Sequence, residues 1–426
     1  MNEEKFALRQ KTQRDYYIRT TINGMRRMWR IKWGLILPAL TLTPLVIILL
    51  ARFLIALNIL LIFSDLAVLA LAVFVNLIFT YMIGHIPGAK EIYENLLRIG
   101  FTNSAGEAPL LIAKRHVGGN IHSMVFTGRG FPLSIWSDEK EKIETALNIT
   151  ILTFSEGKSK REIVMEYVPG NIVLPRKIEW NWKYLSDEDC EIRLGESVCG
   201  PVSINLAATP HALIGGTTGC GKTRLMESIA EQFVEKGGEV YLVDYKGVDY
   251  RNFVRFVGAD ASNDALLDTL NCLHNIFLQR RECLHDENCR NIEEYNTKGC
   301  TMNRILLLID EASAIFDTTG RSKEEKETIS KILGGVLELT RLGRFVGIHV
   351  IIGTQRPDVN SVPGALKANL SIRICGHMPD VATSTVILDD GAAADIPAIP
   401  GRFLLRDGGE EVIFQSYLFE GEDEMK

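Results

Sequence analysis

The 426 residues leave room for two to three domains, and 46% hydrophobic with 23% charged residues are the proportions of a folded chain rather than a disordered one. A net charge of −6 excludes a globally basic nucleic-acid binder, so contact with a polyanion would need locally gathered cations, as in a pore. Eight cysteines, at 190, 199, 220, 272, 283, 289, 300 and 375, keep no disulfide-scaffold rhythm and point to a reducing compartment.

Residues 1–32 form a basic segment, with Lys5, Arg9, Lys11, Arg14, Arg19, Arg26, Arg27, Arg30 and Lys32 against Glu3, Glu4 and Asp15. "WGLILPALTLTPLVIILLA" (33–51) follows with no charge. At 1.5 Å per residue it spans about 28 Å, close to the hydrocarbon thickness of a bilayer. Residues 53–84 continue apolar, interrupted by Asn58, Ser64, Asp65 and Asn76. The run over 33–84 therefore predicts a hairpin of two transmembrane helices, with Arg52 and Ser64-Asp65 as its polar turn region. A buried hairpin of a soluble protein is the competing reading, but soluble core helices rarely avoid charge for so long. The basic flank predicts a cytoplasmic N-terminus, and two crossings return the rest of the chain to the cytoplasm of a multi-pass cell-membrane protein. The apolar run is too long and starts too late for a cleaved signal peptide.

Residues 85–190 read as a connecting or oligomerisation segment of mixed α/β character. Helical spacing marks 89–101 and 138–151, strand-like runs mark 161–168 and 171–174, and Gly118-Gly119 and Pro169-Gly170 mark turns. Nothing there has catalytic spacing.

The signal sharpens within 191–426. A short apolar strand at 212–214 feeds Gly216-Thr217-Thr218-Gly219-Cys220-Gly221-Lys222-Thr223, and 223–236 has helical spacing. This is G-x4-G-K-[ST] in the strand–loop–helix context it requires. The backbone N–H groups of such a loop, with the helix N-terminus behind them, cradle phosphate oxygens. Lys222 is the residue to reach the β- and γ-phosphates of ATP, and Thr223 a ligand for Mg²⁺. "RILLLIDEAS" (304–313) then delivers Asp310 and Glu311 at the end of an aliphatic strand. Asp310 fits a Mg²⁺ role and Glu311 the base that orients and deprotonates the attacking water. A helix N-cap followed by a first-turn acid is the plainer reading of Asp-Glu, and the phosphate loop weighs against it.

Further strands at 239–247, 347–355 and 370–376 alternate with helical stretches at 264–284 and 326–345. The alternation predicts an α/β phosphate-loop (RecA-like) NTPase with a mainly parallel, doubly wound sheet. Cys283-x-His285-x3-Cys289 has metal-ligand chemistry but no second ligand pair, and reads as ordinary helix and loop.

"PHALIGGTTGCGKT", "VYLVDYKGVDY", "QRRECLHDENCRNIEEYN", "LLLIDEAS", "GRFVGIHVIIGTQRPDVNSVPGALKANLSIRI" and "TVILDDGAAADIPAIPGRFLL" occur in order. Over about 190–420 the chain resembles the motor domain of the FtsK/SpoIIIE-type DNA translocases. The resemblance implies a homo-oligomeric, hexameric ring that hydrolyses ATP at subunit interfaces and pulls DNA through its pore. It implies a polar sensor at Gln355, and an arginine finger at Arg344 or, second, Arg373. Thr385 stands where the family commonly has an arginine before "TILD", which leaves that sensor position empty of its usual chemistry. Lys246 and its loop neighbours are the candidate pore contacts.

Chromosome-partitioning members usually carry about four spans, a long linker and a C-terminal sequence-reading module. Two expected spans, a modest connector and an end soon after the last motor strand are instead similar to the conjugation coupling proteins of Gram-positive plasmids and integrative elements. That likeness implies relaxase (relaxosome) and secretion-channel proteins as partners. Two other readings stay open: a chromosome translocase of division or sporulation, and an ATP-dependent docking platform for secretion partners.

Overall fold

The computed structural model describes residues 16–18, 20–25, 28, 42–48, 50–51, 59–128, 130–245, 250, 263–355 and 361–419. The chain divides into two compact units, 1–172 and 173–426.

In the first unit, Ile59–Gly84 is one uninterrupted helix. Its sequence lacks proline and holds glycine only at its last position, so nothing breaks the backbone ladder. Ser64 and Asp65, expected at a polar turn, lie inside it. Leu66–Gly84 is, among the described residues, the one stretch long and apolar enough to cross a membrane. Leu71, Phe74, Val75, Leu77 and Met82 are exposed along it, as lipid-facing side chains are. Of the expected two-helix hairpin only this one candidate crossing is seen among the described residues. Residues 42–48 and 50–51 of the other are helical, and 33–41 lie outside the described residues. Of the basic segment, 16–18 and 20–25 are helical, and Tyr16 and Tyr17 pack against Tyr93 and Tyr81 with ring centroids 5.7 and 5.8 Å apart.

The rest of this unit is a four-stranded antiparallel sheet of order β1-β2-β4-β3. Its strands are β1 (Leu111–Gly118), β2 (Ile121–Thr127), β3 (Ile149–Glu156) and β4 (Glu162–Pro169). Buried Trp136 centres the core, with Phe101, Phe126, Phe131 and Phe154 around it. The helix expected over 138–151 stops at Leu147, because Asn148 turns left-handed (φ 51°) and the β-branched run Ile149-Thr150-Ile151 starts β3. Residues 171–174, expected as a strand, carry no strand pairing. β1 and β2 have no clean alternation in sequence, since β2 is buried on both faces and β1 is an edge strand carrying Lys114, Arg115 and His116.

The second unit is built on one ten-stranded sheet. In chain order its strands are β5 (Ile178–Glu179), β6 (Glu191–Ser197), β7 (Gly200–Asn205), β8 (His211–Gly215), β9 (Glu239–Val243), β10 (Ile305–Ile309), β11 (Ile348–Thr354), β12 (Ile372–Gly376), β13 (Arg402–Asp407) and β14 (Glu410–Leu418). The order is β7-β6-β14-β13-β12-β8-β11-β10-β9, with β5 beside β14. The block β12-β8-β11-β10-β9 is parallel, as expected. On the other side the path β7-β6-β14-β13-β12 is antiparallel, with β5 pairing parallel to β14, so the sheet is mixed. Two hairpins cause this: β13–β14 turns at Gly408-Gly409 and β6–β7 ends at Gly200, all at positive φ. β5 also carries the sheet back to residue 178, ahead of the expected motor boundary at 191.

Helices cover both faces of the parallel block. Leu306 and Leu308 face a core holding Leu225, Met226, Ile229 and Phe233 of the helix Lys222–Glu235. Ile305, Leu307 and Ile309 face another, holding Leu270, Leu273 and Phe277 of Asn263–Asp286 and Val336 and Leu339 of Lys323–Leu342. A strand buried on both faces has no polar alternation to keep, which is why β10 reads as an unbroken aliphatic run.

Candidate nucleotide site

The glycine-rich loop leaves β8 at its C-terminal end. Gly219 (φ 83°) and Gly221 (φ 98°) hold left-handed backbone that other residues adopt only under strain, and Gly221 caps the helix Lys222–Glu235. The loop is anchored at its sides. Thr217 Oγ1 donates to the His377 carbonyl (3.3 Å), and the Gly401 N–H donates to the Cys220 carbonyl (2.7 Å). Cys220 is buried, and burial pushes its thiol pKa up, so it packs as a small apolar residue.

Strand order brings the two motifs together. β11 lies between β8 and β10, so Lys222 must reach across β11 to Asp310. It does so: Nζ donates to the Asp310 carbonyl (2.5 Å) and pairs with Asp310 Oδ1, both side chains being buried. The crossing point is Gly353 of β11. A Cβ there would stand 2.4 Å from the Asp310 carbonyl oxygen and 2.9 Å from Lys222 Nζ. Gly353 is a site residue that motif reading overlooked, and a glycine inside "HVIIGT" was its signal.

Glu311 turns the other way. Its carboxylate accepts from the Gln355 N–H (3.0 Å), Thr354 Oγ1 (3.1 Å) and Ser313 Oγ (2.7 Å). It sits at the N-cap of Ala312–Phe316 without a side-chain capping bond, so the plain capping reading does not describe it. The Gln355 side chain in turn accepts from Thr218 Oγ1 (3.2 Å). Thr218, Lys222, Asp310, Glu311 and Gln355 thus form one constellation.

The donor set suits a hard cation. Thr223 lies in the first helical turn, half-buried, and Asp310 Oδ2 is buried with no hydrogen bond. Among the described residues no three His, Cys, Asp or Glu side chains converge on a protein-only metal cage.

Two arginines lie apart from this constellation. Arg344 is exposed, one turn before β11 begins, and its Nε donates to the Ala207 carbonyl (3.1 Å). Arg373 is turned into its own subunit, donating to the carbonyls of Leu370 (2.5 Å), Ile387 (2.7 Å) and Lys367 (2.8 Å). Thr385 bonds its own helix, at the Val381 carbonyl (2.7 Å). Lys246 lies outside the described residues.

Beside the loop opens a cavity of about 610 Å³. Gly219, Gly221 and Arg224 line it on the side of the glycine-rich loop, and Ile178, Pro400, Tyr417 and Leu418 form an apolar wall. This wall comes from the antiparallel flank, and motif reading missed it because no phosphate-binding pattern encodes it. Its chemistry suits a planar heterocycle extending from the loop.

Fold and site together define a RecA-like phosphate-loop ATPase. Residues 192–338 match the family model described as "Helicase HerA, central domain". The chain is 31% identical over 225 residues to the DNA translocase FtsK of Chlorobaculum tepidum, covering 48% of this chain and 27% of that protein. It is 30% identical over 239 residues to the FtsK of Caldanaerobacter subterraneus, covering 52% and 32%. It therefore spans about a third or less of the length of these curated relatives. Among solved structures it resembles the pCW3 conjugation coupling protein TcpA, in a monomer form with ATPγS, at 30% identity and a TM-score of 0.57, covering 78% of this chain and 95% of that one. The chain belongs to the FtsK/HerA-type DNA translocase family and carries its ATPase domain.

Proposed function

We propose that the protein is a membrane-anchored, ATP-driven DNA translocase that acts as a coupling protein, delivering DNA to a conjugative transfer channel. The observation that carries this is the likeness to TcpA over 95% of that chain, which takes in more than the ATPase domain. The apolar stretch Leu66–Gly84 supports the anchor, and the basic N-terminal segment a cytoplasmic ATPase. Relaxase and channel proteins are the partners this reading entails, and a head-to-tail ring, hexameric in the family resemblance, is its working form.

In the proposed mechanism the loop N–H groups hold the triphosphate, and Lys222 exchanges Asp310 for the β- and γ-phosphates. Glu311, fixed by Gln355 N–H and Thr354, takes a proton from the attacking water. Gln355 ties that carboxylate to Thr218 on the loop, so it reports the phosphate position to the base. Thr223 and Asp310 would hold Mg²⁺, which would supply charge neutralisation on the phosphates when bound. Arg344 serves the nucleotide of the next subunit.

The test is ATPase activity of the full chain with single-stranded, double-stranded and no DNA, together with conjugation frequency from donors carrying Glu311→Gln. DNA-stimulated turnover and loss of transfer are expected. Stimulation by a protein partner alone would sink the translocase reading. Unchanged transfer with defective chromosome partitioning would instead favour the division-type role that the FtsK relatives suggest.

A further inference from the structure

The first unit holds a polar cavity of about 390 Å³ that the ATPase chemistry does not use. The helix Ala89–Arg98 and its N-cap supply Gly88, Glu91 and Asn95 to the lining, and the sheet and its turns supply Lys114, His122 and Asn148. Strand register sets this row. β1 pairs His116 with His122 and Lys114 with Met124, and β2 pairs His122 with Tyr167. Met124 and Tyr167 are buried, so the polar groups stand on an apolar floor. The His122 ring lies 5.6 Å from that of Tyr167 and 5.1 Å from that of His116. Among the described residues, no hydrogen bond or ion pair engages the side chains of Lys114, His122 or Asn148. Each can donate an N–H. Asn95 Oδ1 already accepts from Arg98 (3.2 Å), which leaves its amide donors over. Glu91 is the one carboxylate in the lining. Donors therefore outnumber acceptors.

The cavity's place in the unit narrows its ligand. Gly88 comes four residues after Gly84, where the apolar stretch Leu66–Gly84 ends, and four residues reach at most about 14 Å. The chain turns in between, since the Ala89 N–H donates to the Ile86 carbonyl (3.0 Å). Ile86, Ala89 and Tyr93 share one core with Met124 and Tyr167, which fixes the cavity at the foot of the crossing. The sheet meets it at the end where β1 turns into β2, and Val117 beside that turn is 56% exposed. We infer that this cavity binds the headgroup of an anionic phospholipid, with Lys114 and His122 donating to the phosphodiester and Glu91 accepting from a hydroxyl of a glycerol head. The inference rests on the membrane anchor proposed above. A soluble phosphate ester offers the same oxygens, but a lipid of the bilayer that the helix itself enters is present at far higher effective concentration. A choline head fits poorly, because its cation faces Lys114 and offers Glu91 no N–H or O–H.

The experiment uses the full chain in neutral detergent and titrates it with phosphatidylglycerol and phosphatidylcholine probes that share one labelled acyl chain. The phosphatidylglycerol probe is expected to bind about 5-fold or more tighter. K114Q is expected to weaken that binding about 5-fold, while K114R keeps it. R115Q makes the same charge change one residue on, on the opposite face of β1, and is expected to stay within about 2-fold of the parent. Lys114 is exposed, so its replacement leaves packing intact. Equal affinity for the two lipids, or an equal loss in R115Q, would overturn the inference. Displacement of the probe by an equal concentration of glycerol 3-phosphate would make a soluble ester the ligand and overturn the lipid assignment. Flotation of the full chain on pure phosphatidylcholine vesicles after a carbonate wash separates the two levels. A chain that does not float loses the anchor itself, whereas one that floats without preferring phosphatidylglycerol loses only the headgroup site.

Discussion

At the residue scale, the site is organised around a gap. Lys222 and Asp310 meet because Gly353 has no side chain, and a single methyl there lands inside contact distance of both. Gly353→Ala is therefore expected to weaken nucleotide binding about 10-fold or more and to cost about 1–3 kcal/mol of stability by overpacking. A fluorescent-nucleotide titration and a urea melt check it, and unaltered affinity would refute the role given to the gap. The two motor substitutions differ in kind. Lys222→Ala leaves Asp310 buried without its cation, so a loss of about 3 kcal/mol is expected alongside lost binding. Glu311→Gln keeps an acceptor oxygen for the Gln355 N–H, and is expected to bind ATP while turnover falls by about 100-fold or more. Full DNA-stimulated turnover in that variant would remove Glu311 as the base. The candidate residues Lys222, Thr223, Asp310 and Glu311 stand out in the sequence because each lies in a local strand–loop or strand-end pattern. Gly353 and the cavity wall at Ile178, Pro400 and Tyr417 do not, because their placement arises from strand order, which no local pattern carries.

At the element scale, β8 opens on a buried histidine, His211, and β11 carries another, His349, as its second residue. His211 Nδ1 accepts the Val350 N–H (3.0 Å), which requires a neutral ring. Burial lowers the His211 pKa to about 4. Burial, with the nearby Arg304 charge, lowers that of His349 to about 3. Both fall below the ordinary value near 6.5, so the unfolded chain binds more protons between that value and the folded ones. Stability is therefore whole above about pH 6.5 and drains as pH falls, by about 1.4 kcal/mol per unit for each ring. Urea midpoints at pH 7 and 5 check this: a midpoint that does not drop at pH 5 would refute it, and His349→Gln is expected to flatten the dependence. The sequence pattern foresaw the parallel strands and their covering helices, since continuous aliphatic runs are hard to mistake. It lost the helix–strand junction at Asn148, where one left-handed residue decides the outcome. It also counted Ser64-Asp65 in the hairpin's turn region, where two polar residues proved too few to stop a helix otherwise free of breakers; Arg52, the other residue of that region, lies outside the described residues.

At the scale of the whole molecule, the ATPase sheet joins a parallel block that sets the chemistry to an antiparallel flank that walls the cavity. The junction is β12–β13, and the flank closes through β14 on residues from the very start of the second unit. That start is β5, paired with β14 over only Tyr417–Ile178 and Leu418–Glu179. Two pairs make a weak latch, and such edges open before the sheet does. Arg176, Lys177 and Ile178 nevertheless line the cavity beside the loop, so a ligand filling it opposes the opening by mass action. Backbone amides at 176–180 should thus exchange with deuterium quickly in the free protein and slowly with ATPγS, about 10-fold slower at ten times Kd. Equal exchange in both conditions would show that the ligand does not touch this wall. The latch also makes residues 173–180, the first of the second unit, a clock for nucleotide residence, readable by mass spectrometry without any label on the nucleotide or the DNA.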